Sequence, residues 1–169
     1  MMELWDVYDE GRKKTGKTHV RGVPMPEGDY HLISDIWVVN ESGRVLITRR
    51  HPKKTYGLMW ECSGGSVLAG ETSLQGAVRE LLEETGLLVG EDELKLIHTI
   101  QFKDRFVDTY ITRQEVTRKD LVLQPEEVVD ARFVTFQELL DMWDQGIVVP
   151  KTRFLLYKDA IHAFLVPPS

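Results

Sequence analysis

The sequence predicts an α/β fold, and three observations carry that prediction. Short runs rich in β-branched and aromatic residues, separated by glycine and asparagine turns, fill the first 65 residues. A helix with both of its end signals follows, and then further strand runs alternate irregularly with helical ones. With 169 residues and 42% apolar content the chain can bury one sizeable core. No linker, repeat or composition break divides it, so residues 1–169 read as a single domain.

Leu4 to Tyr8 reads as a strand entering a turn at Asp9-Glu10-Gly11, with Thr15 to His19 pairing back on it. Pro24 to Gly28 is a rigid connector. His31 to Val39 is a strand, Asn40 to Gly43 a hairpin turn, and Arg44 to Arg50 the returning strand, followed by a basic loop from Pro52 to Gly57. Thr72 caps a helix, with Gln75 completing a capping box. Leu74, Ala77, Val78, Leu81 and Leu82 form its apolar stripe, and Gly86 stands where a left-handed glycine ends it. Leu94 to Phe102 and Arg105 to Thr112 are strands around Lys103-Asp104. Asp130 to Val134 is a short strand, and Thr135 with Glu138 caps the helix Phe136 to Asp144. Pro150 precedes a final helix over Lys151 to Phe164.

The helix after Thr72 carries the chemistry. At about 100° per residue, Glu80, Glu83 and Glu84 share one third of its circumference, and Gly76, a turn earlier, leaves that face clear for a ligand. Like charges at this spacing destabilise a helix by a few tenths of a kcal/mol unless a cation lies between them. Taken alone, such a run is also what a solvated acidic face looks like. An all-carboxylate set suits magnesium or manganese holding a phosphate, not zinc. Arg79 can orient a neighbouring carboxylate.

The flanking residues decide between those readings. Gly65, Glu71, Arg79, Glu80, Leu81, Glu83, Glu84, Gly86 and Leu87 fill every specified place of G-x5-E-x7-R-E-U-x-E-E-x-G-U, where U is a large aliphatic residue. The stretch 65–87 therefore resembles the Nudix box. The resemblance implies an α/β/α sandwich around a mixed sheet, and hydrolysis of a nucleoside diphosphate linked to another moiety, with Mg2+ or Mn2+. It implies Glu80, Glu83, Glu84 and the Gly65 carbonyl as metal ligands, Glu83 as the group polarising water, Glu71 as a brace and Arg79 as a salt-bridge partner. Trp5 to Glu10, Tyr30-His31-Leu32, Thr48-Arg49-Arg50 and Gly57 to Trp60 further resemble the isopentenyl-diphosphate-isomerase-like subgroup.

That subgroup raises the alternative of an isomerase, which needs paired acid/base groups. The isomerases carry a cysteine before the first box glycine and a metal-binding histidine after it; here Gly64 and Ser66 stand there, and Cys62 is two residues early. His31 matches one isomerase ligand position, His19 matches another only with altered spacing, and Asp108 lies near the isomerase glutamate. The intact box favours a hydrolase. A non-catalytic nucleotide-binding module is the third reading, and the complete carboxylate set argues against it.

Outside the box, Glu126 and Glu127 precede the strand at Ala131 to Val134, where many Nudix enzymes place a further ligand or general base. Glu127 is taken as that base and Glu126 as substrate-binding. Arg49, Arg50, His51, Lys53 and Lys54 form a basic patch before the box, with Arg49 and Arg50 the candidate diphosphate contacts. Alternation along a strand lets only one of those two reach the site. Trp60, Phe102, Phe106 and Tyr110 read as core, and His98 and His162 as structural. The net charge of −6 excludes a broad nucleic-acid-binding surface. The single Cys62, the lack of a basic-then-apolar leader and the lack of a long apolar run point to a cytoplasmic protein with no membrane partner. The expected partner is a small nucleotide or organic diphosphate, and the resemblance allows a homodimer.

Overall fold

The computed structural model describes residues 2–149 and 154–165. Strands β1 (Leu4–Tyr8) and β2 (Lys14–Val20) form an antiparallel hairpin of their own. Among the described residues a second, seven-stranded sheet contains β3 (His31–Val39), β4 (Val45–Arg50), β5 (Trp60–Glu61), β6 (Ser63–Ser66), β7 (Lys95–Gln101), β8 (Arg105–Arg113) and β9 (Val128–Val134). It is mixed. β3 runs parallel to β8 in register from His31–Arg105 to Val39–Arg113, while its other pairings are antiparallel.

Alternation along the strands divides the core between two faces. Ile36, Val38 and Leu46 point to the side covered by α1 (Ser73–Thr85), where Ala77, Leu81 and Tyr110 join them. Trp37, Val39, Val45 and Ile47 point to the other side, covered by α2 (Phe136–Asp144) and α3 (Phe154–Leu165) through Leu139, Met142, Phe154, Tyr157 and Ile161. Helices on both faces of a mixed sheet make the α/β/α sandwich. The expected start of the last helix, at Pro150 and Lys151, lies outside the described residues.

One irregularity of the sheet builds the cleft. β4 meets β3 only at Val45–Val39 and then leaves it to pair with β9 and β5, while β6 takes its place along Ile33–Ile36. The splay leaves Ile33 of β3, Arg50 of β4 and Gly64–Ser66 of β6 lining a common opening of about 710 Å³ beside α1.

The hairpin is docked onto the loop between β6 and α1. Ala69 N–H donates to Leu4 O at 2.8 Å, and Gly70 N–H donates to the Asp6 carboxylate at 2.8 Å. At its turn, Arg12 forks onto the buried Asp108 of β8 through both guanidinium nitrogens and lies over the Phe106 ring.

Candidate active site

Helix α1 begins and ends on local chemistry. Thr72 Oγ1 accepts from Gln75 N at 3.1 Å and Gln75 Oε1 accepts from Thr72 N at 3.0 Å, while Gly86 closes the helix at φ 77°. Its rotation against the sheet differs from what the leucine stripe predicts. The buried arc contains Ser73, Gly76, Ala77, Leu81, Glu84 and Thr85, whereas Leu82 is 43% exposed. At about 100° per residue the helix is turned so that Glu84, not Leu82, faces inward. The role expected of Gly76 also changes. A Cβ there would meet Val67 Cγ2 at 3.0 Å and Glu71 Oε2 at 3.3 Å, so the glycine admits the loop against the helix and leaves no open space for a ligand.

Burial sets the charge state of the carboxylates. Glu84 is pushed up to about 8, first by burial and then by the charges of Glu80 and Glu61, with the Gly64 N–H and Lys54 opposing. Glu80 is raised as well, by burial, although Arg79 counteracts it. Glu83 is the outermost, its side chain 47% exposed. Arg79 ties the group together: Nε to Glu71 Oε1 at 2.6 Å, Nη1 to Glu80 at 3.0 Å and to Glu83 at 3.2 Å, and Nη2 to the Ser66 carbonyl at 3.0 Å. Glu71 also accepts from Leu68 N at 2.9 Å, which clips the loop to the helix.

Among the described residues no three acidic, imidazole or thiol side chains converge into a ready-made metal cluster, because Arg79 draws Glu80 and Glu83 onto itself. The donors nonetheless fit a hard divalent cation. Glu80, Glu83 and Glu84 line one cleft with Gly65, and they are oxygen-only. Glu84 is buried and Glu80 half-buried, and both carboxyls are held above their ordinary pKa, where such a cation would favour the charged forms. Gly65 has no side chain where the Glu80 carboxylate packs; a Cβ there would lie 2.5 Å from it.

The cleft also contains Arg50, Lys54 and Glu127, and Lys54 bonds the Glu127 carboxylate. Arg49 and Glu126 lie elsewhere. Arg49 sits over the Trp60 ring at 5.6 Å and donates to Leu58 O, on the side of β4 turned away from the opening, and Glu126 is exposed outside it. Trp60, Phe106 and Tyr110 are buried, and Phe102 lies under Arg105 at 4.7 Å.

The isomerase-like positions have other occupations here. Cys62 is buried in the apolar core with Trp37 and Tyr157. His31 stacks on Trp5 at 4.0 Å, with His19 on Trp5 at 6.1 Å, and burial lowers His31 to about 4. Asp108 is held below the ordinary carboxylate range: burial would raise it, but Arg12, Ser73 and Thr99 outweigh that.

Sequence reasoning missed the hairpin's share of the cleft. Met2, Glu3, Leu4 and Arg21 line it, and Arg21 Nη1 bonds Glu3 Oε2 at 3.0 Å. The Lys14–Val20 strand ending beside Arg21 showed that a hairpin forms there, but nothing local showed where it docks.

Residues 29–152 match the sequence profile of the NUDIX domain family. An uncharacterized Nudix hydrolase of Listeria monocytogenes is 40% identical over 151 residues, covering 88% of this chain and 89% of its own length. Nudix hydrolase 3 of Arabidopsis thaliana is 29% identical across 80% of this chain, which spans 20% of that protein. A crystal structure from Deinococcus radiodurans has a TM-score of 0.74 at 20% identity, covering 95% of this chain and 98% of that one. The NUDIX domain of Shewanella oneidensis NrtR, solved with ADP ribose, has a TM-score of 0.63 at 15% identity over 80% of this chain and 88% of that one. At these identities the two structures share the fold.

Proposed function

The chain belongs to the Nudix family and is a Nudix pyrophosphohydrolase; on that premise we propose that it cleaves, by attack of water, a pyrophosphate linkage in a nucleoside diphosphate joined to another moiety or in a similar organic diphosphate. The observation that carries the reading is the grouping of Glu80, Glu83 and Glu84 with Gly65 in one cleft. Family members use divalent metal ions; here Glu80, Glu83, Glu84 and the Gly65 carbonyl would hold magnesium or manganese, which when bound lowers the pKa of water and neutralises phosphate charge.

The protein's own groups divide the remaining work. Glu83, the most exposed of the three, accepts the proton of the attacking water. Glu127, paired with Lys54 in the cleft, is the second candidate base. Glu71 and Arg79 hold the loop and helix so that Glu80 and Glu83 keep their positions. Arg50, with its guanidinium on Glu61 at 2.8 Å, sets positive charge on the cleft wall where a diphosphate would lie. Arg49 and Glu126, outside the cleft, support no contact to substrate.

We treat residues 1–169 as one domain, with the hairpin as its extension toward the substrate. The Trp5–His31 stack and the docked hairpin support an isopentenyl-diphosphate-isomerase-like frame, while the burial of Cys62 in the core supports hydrolysis as the chemistry performed in it. The test is a magnesium-dependent hydrolysis screen over nucleoside triphosphates, dinucleotides, nucleotide sugars, coenzyme A and isoprenoid diphosphates. Glu83→Gln should lower turnover by about two orders of magnitude or more with the fold intact. Turnover by that variant near the wild-type level would refute the role given to Glu83.

A further inference from the structure

Among the described residues four cationic side chains line the cleft, and each is already engaged with a carboxylate. They differ in how tightly they are held. Arg79 is spread over Glu71, Glu80, Glu83 and the Ser66 carbonyl. Arg50 pairs with Glu61 where the two side chains are only 18% and 13% exposed, and its Nε donates to Thr55 O at 2.7 Å. Breaking such a pair strands a buried charge, so Arg50 is committed to bracing the loop after β4. Lys54 is half-buried on Glu127.

Arg21 is different. Its pair with Glu3 has side chains 60% and 31% exposed, the class of ion pair that contributes least to stability and exchanges most readily. Glu3 also has a second partner that stays when Arg21 leaves, because the Trp5 indole N–H donates to Glu3 Oε1 at 2.9 Å. The Arg21 guanidinium is thus the cleft cation most easily transferred to a ligand, and its fork geometry suits a phosphate. Its charge is among those that lower Lys54, and the Glu3 charge is among those that raise Glu80, as expected for groups sharing one opening.

Position decides which part of a ligand Arg21 can meet. It stands just past the end of β2, on the hairpin that docks through Leu4 and Asp6 on the loop at Ala69 and Gly70, not on the acidic face of α1. It also precedes the residues matched by the family profile. We infer that Arg21 is a substrate-specificity residue that binds an anionic group lying beyond the scissile diphosphate, and that Glu3 holds it in place until substrate arrives. The preferred substrate class is then a diphosphate carrying a further phosphate or equivalent anion. The inference shares its cleft with the proposed hydrolase reaction and rests on that reading for the words scissile and substrate.

The test uses the full chain and its Arg21→Ala, Arg21→Lys and Glu3→Gln variants, each checked by thermal unfolding. Each is titrated calorimetrically at fixed excess magnesium with inorganic tripolyphosphate and with inorganic pyrophosphate. Arg21→Ala should weaken tripolyphosphate binding by about tenfold and pyrophosphate binding by less than about threefold. Arg21→Lys should recover part of the loss, and Glu3→Gln should tighten tripolyphosphate binding by removing the competitor. Wild-type affinity in Arg21→Ala, equal losses for both probes, or no binding of tripolyphosphate by the wild-type protein would overturn the inference. Arg21-dependent binding in a protein that hydrolyses nothing in the screen would sink the hydrolase proposal and leave the anion site standing.

Discussion

Two adjacent glycines should respond to the same added methyl group in opposite ways. Gly65→Ala places a Cβ 2.5 Å from both Cδ and Oε1 of Glu80, whereas ordinary contact begins at 3.4 Å. The obstacle is the end of a side chain, so Glu80 yields: its carboxylate retreats by about 0.9 Å, enough to loosen its 3.0 Å bond to Arg79. Gly65 has no positive φ, so alanine meets no backbone penalty there. Stability should therefore change little, by less than about 1 kcal/mol, which is a melting shift of no more than about 4 °C. Turnover should fall by roughly ten- to a hundredfold, because displacements near 1 Å in a positioned site cost about that much. Gly64→Ala instead drives its Cβ to 2.4 Å from the Ser34 carbonyl, which is backbone in the β3–β6 ladder and cannot retreat alone. Overpacking of that kind costs about 1–3 kcal/mol and should lower the melting temperature by about 3–10 °C. The assays are thermal unfolding and steady-state hydrolysis on the best substrate from the screen. A folded Gly65→Ala enzyme with wild-type kcat would refute the argument that the bare Gly65 surface seats Glu80.

Other outcomes follow from the same geometry. His31 is neutral in the folded protein, lowered by burial to about 4 from the ordinary 6.5. The unfolded chain therefore binds this proton first, so the contribution of His31 to stability is intact above about pH 6.5 and declines as pH falls toward about 4, by up to about 3 kcal/mol, while the raised Glu84 acts in the opposite sense. His31→Phe keeps a ring on Trp5 and should flatten that decline in acid-unfolding curves; an unchanged slope would mean another group causes it. No aromatic side chain lines the cleft among the described residues, whereas base stacking on a ring is worth about 1–3 kcal/mol. Adenosine, guanosine, cytidine and uridine triphosphates should accordingly differ by less than about tenfold in kcat/KM, and a preference of a hundredfold for one base would show a recognition element outside this cleft.

The legible parts of the molecule are those where a few neighbouring residues suffice. Both ends of α1 and the start of α2 rest on hydrogen bonds within four residues, so Thr72, Gly86 and Thr135 announce them. The alternation in His31–Val39 announces a two-faced strand for the same reason. The exposure of Leu82 and the close packing at Gly76 are not written locally, because helix rotation is set by the surface the helix packs on. Glu84 is turned inward as the β6 loop and Val67 settle against Gly76. Arg49 and Arg50 are adjacent and chemically alike, and only the pairing of β4 with β5 and β9 decides that Arg50 faces the opening while Arg49 lies over Trp60.

By itself, the sequence determined the fold class, the ends of the central helix, the family and the acidic face of that helix. These are written in local periodicity and in a 23-residue pattern whose spacing is preserved whatever surrounds it. Tertiary structure decided which carboxylate is buried, which arginine is committed to bracing and which remains exchangeable, and that residues 2–4 and Arg21 belong to the cleft at all. The reason is physical. Burial and charge coupling depend on distances between segments far apart in the chain, and those distances exist only once β4 has splayed from β3 and the hairpin has docked on the loop before α1.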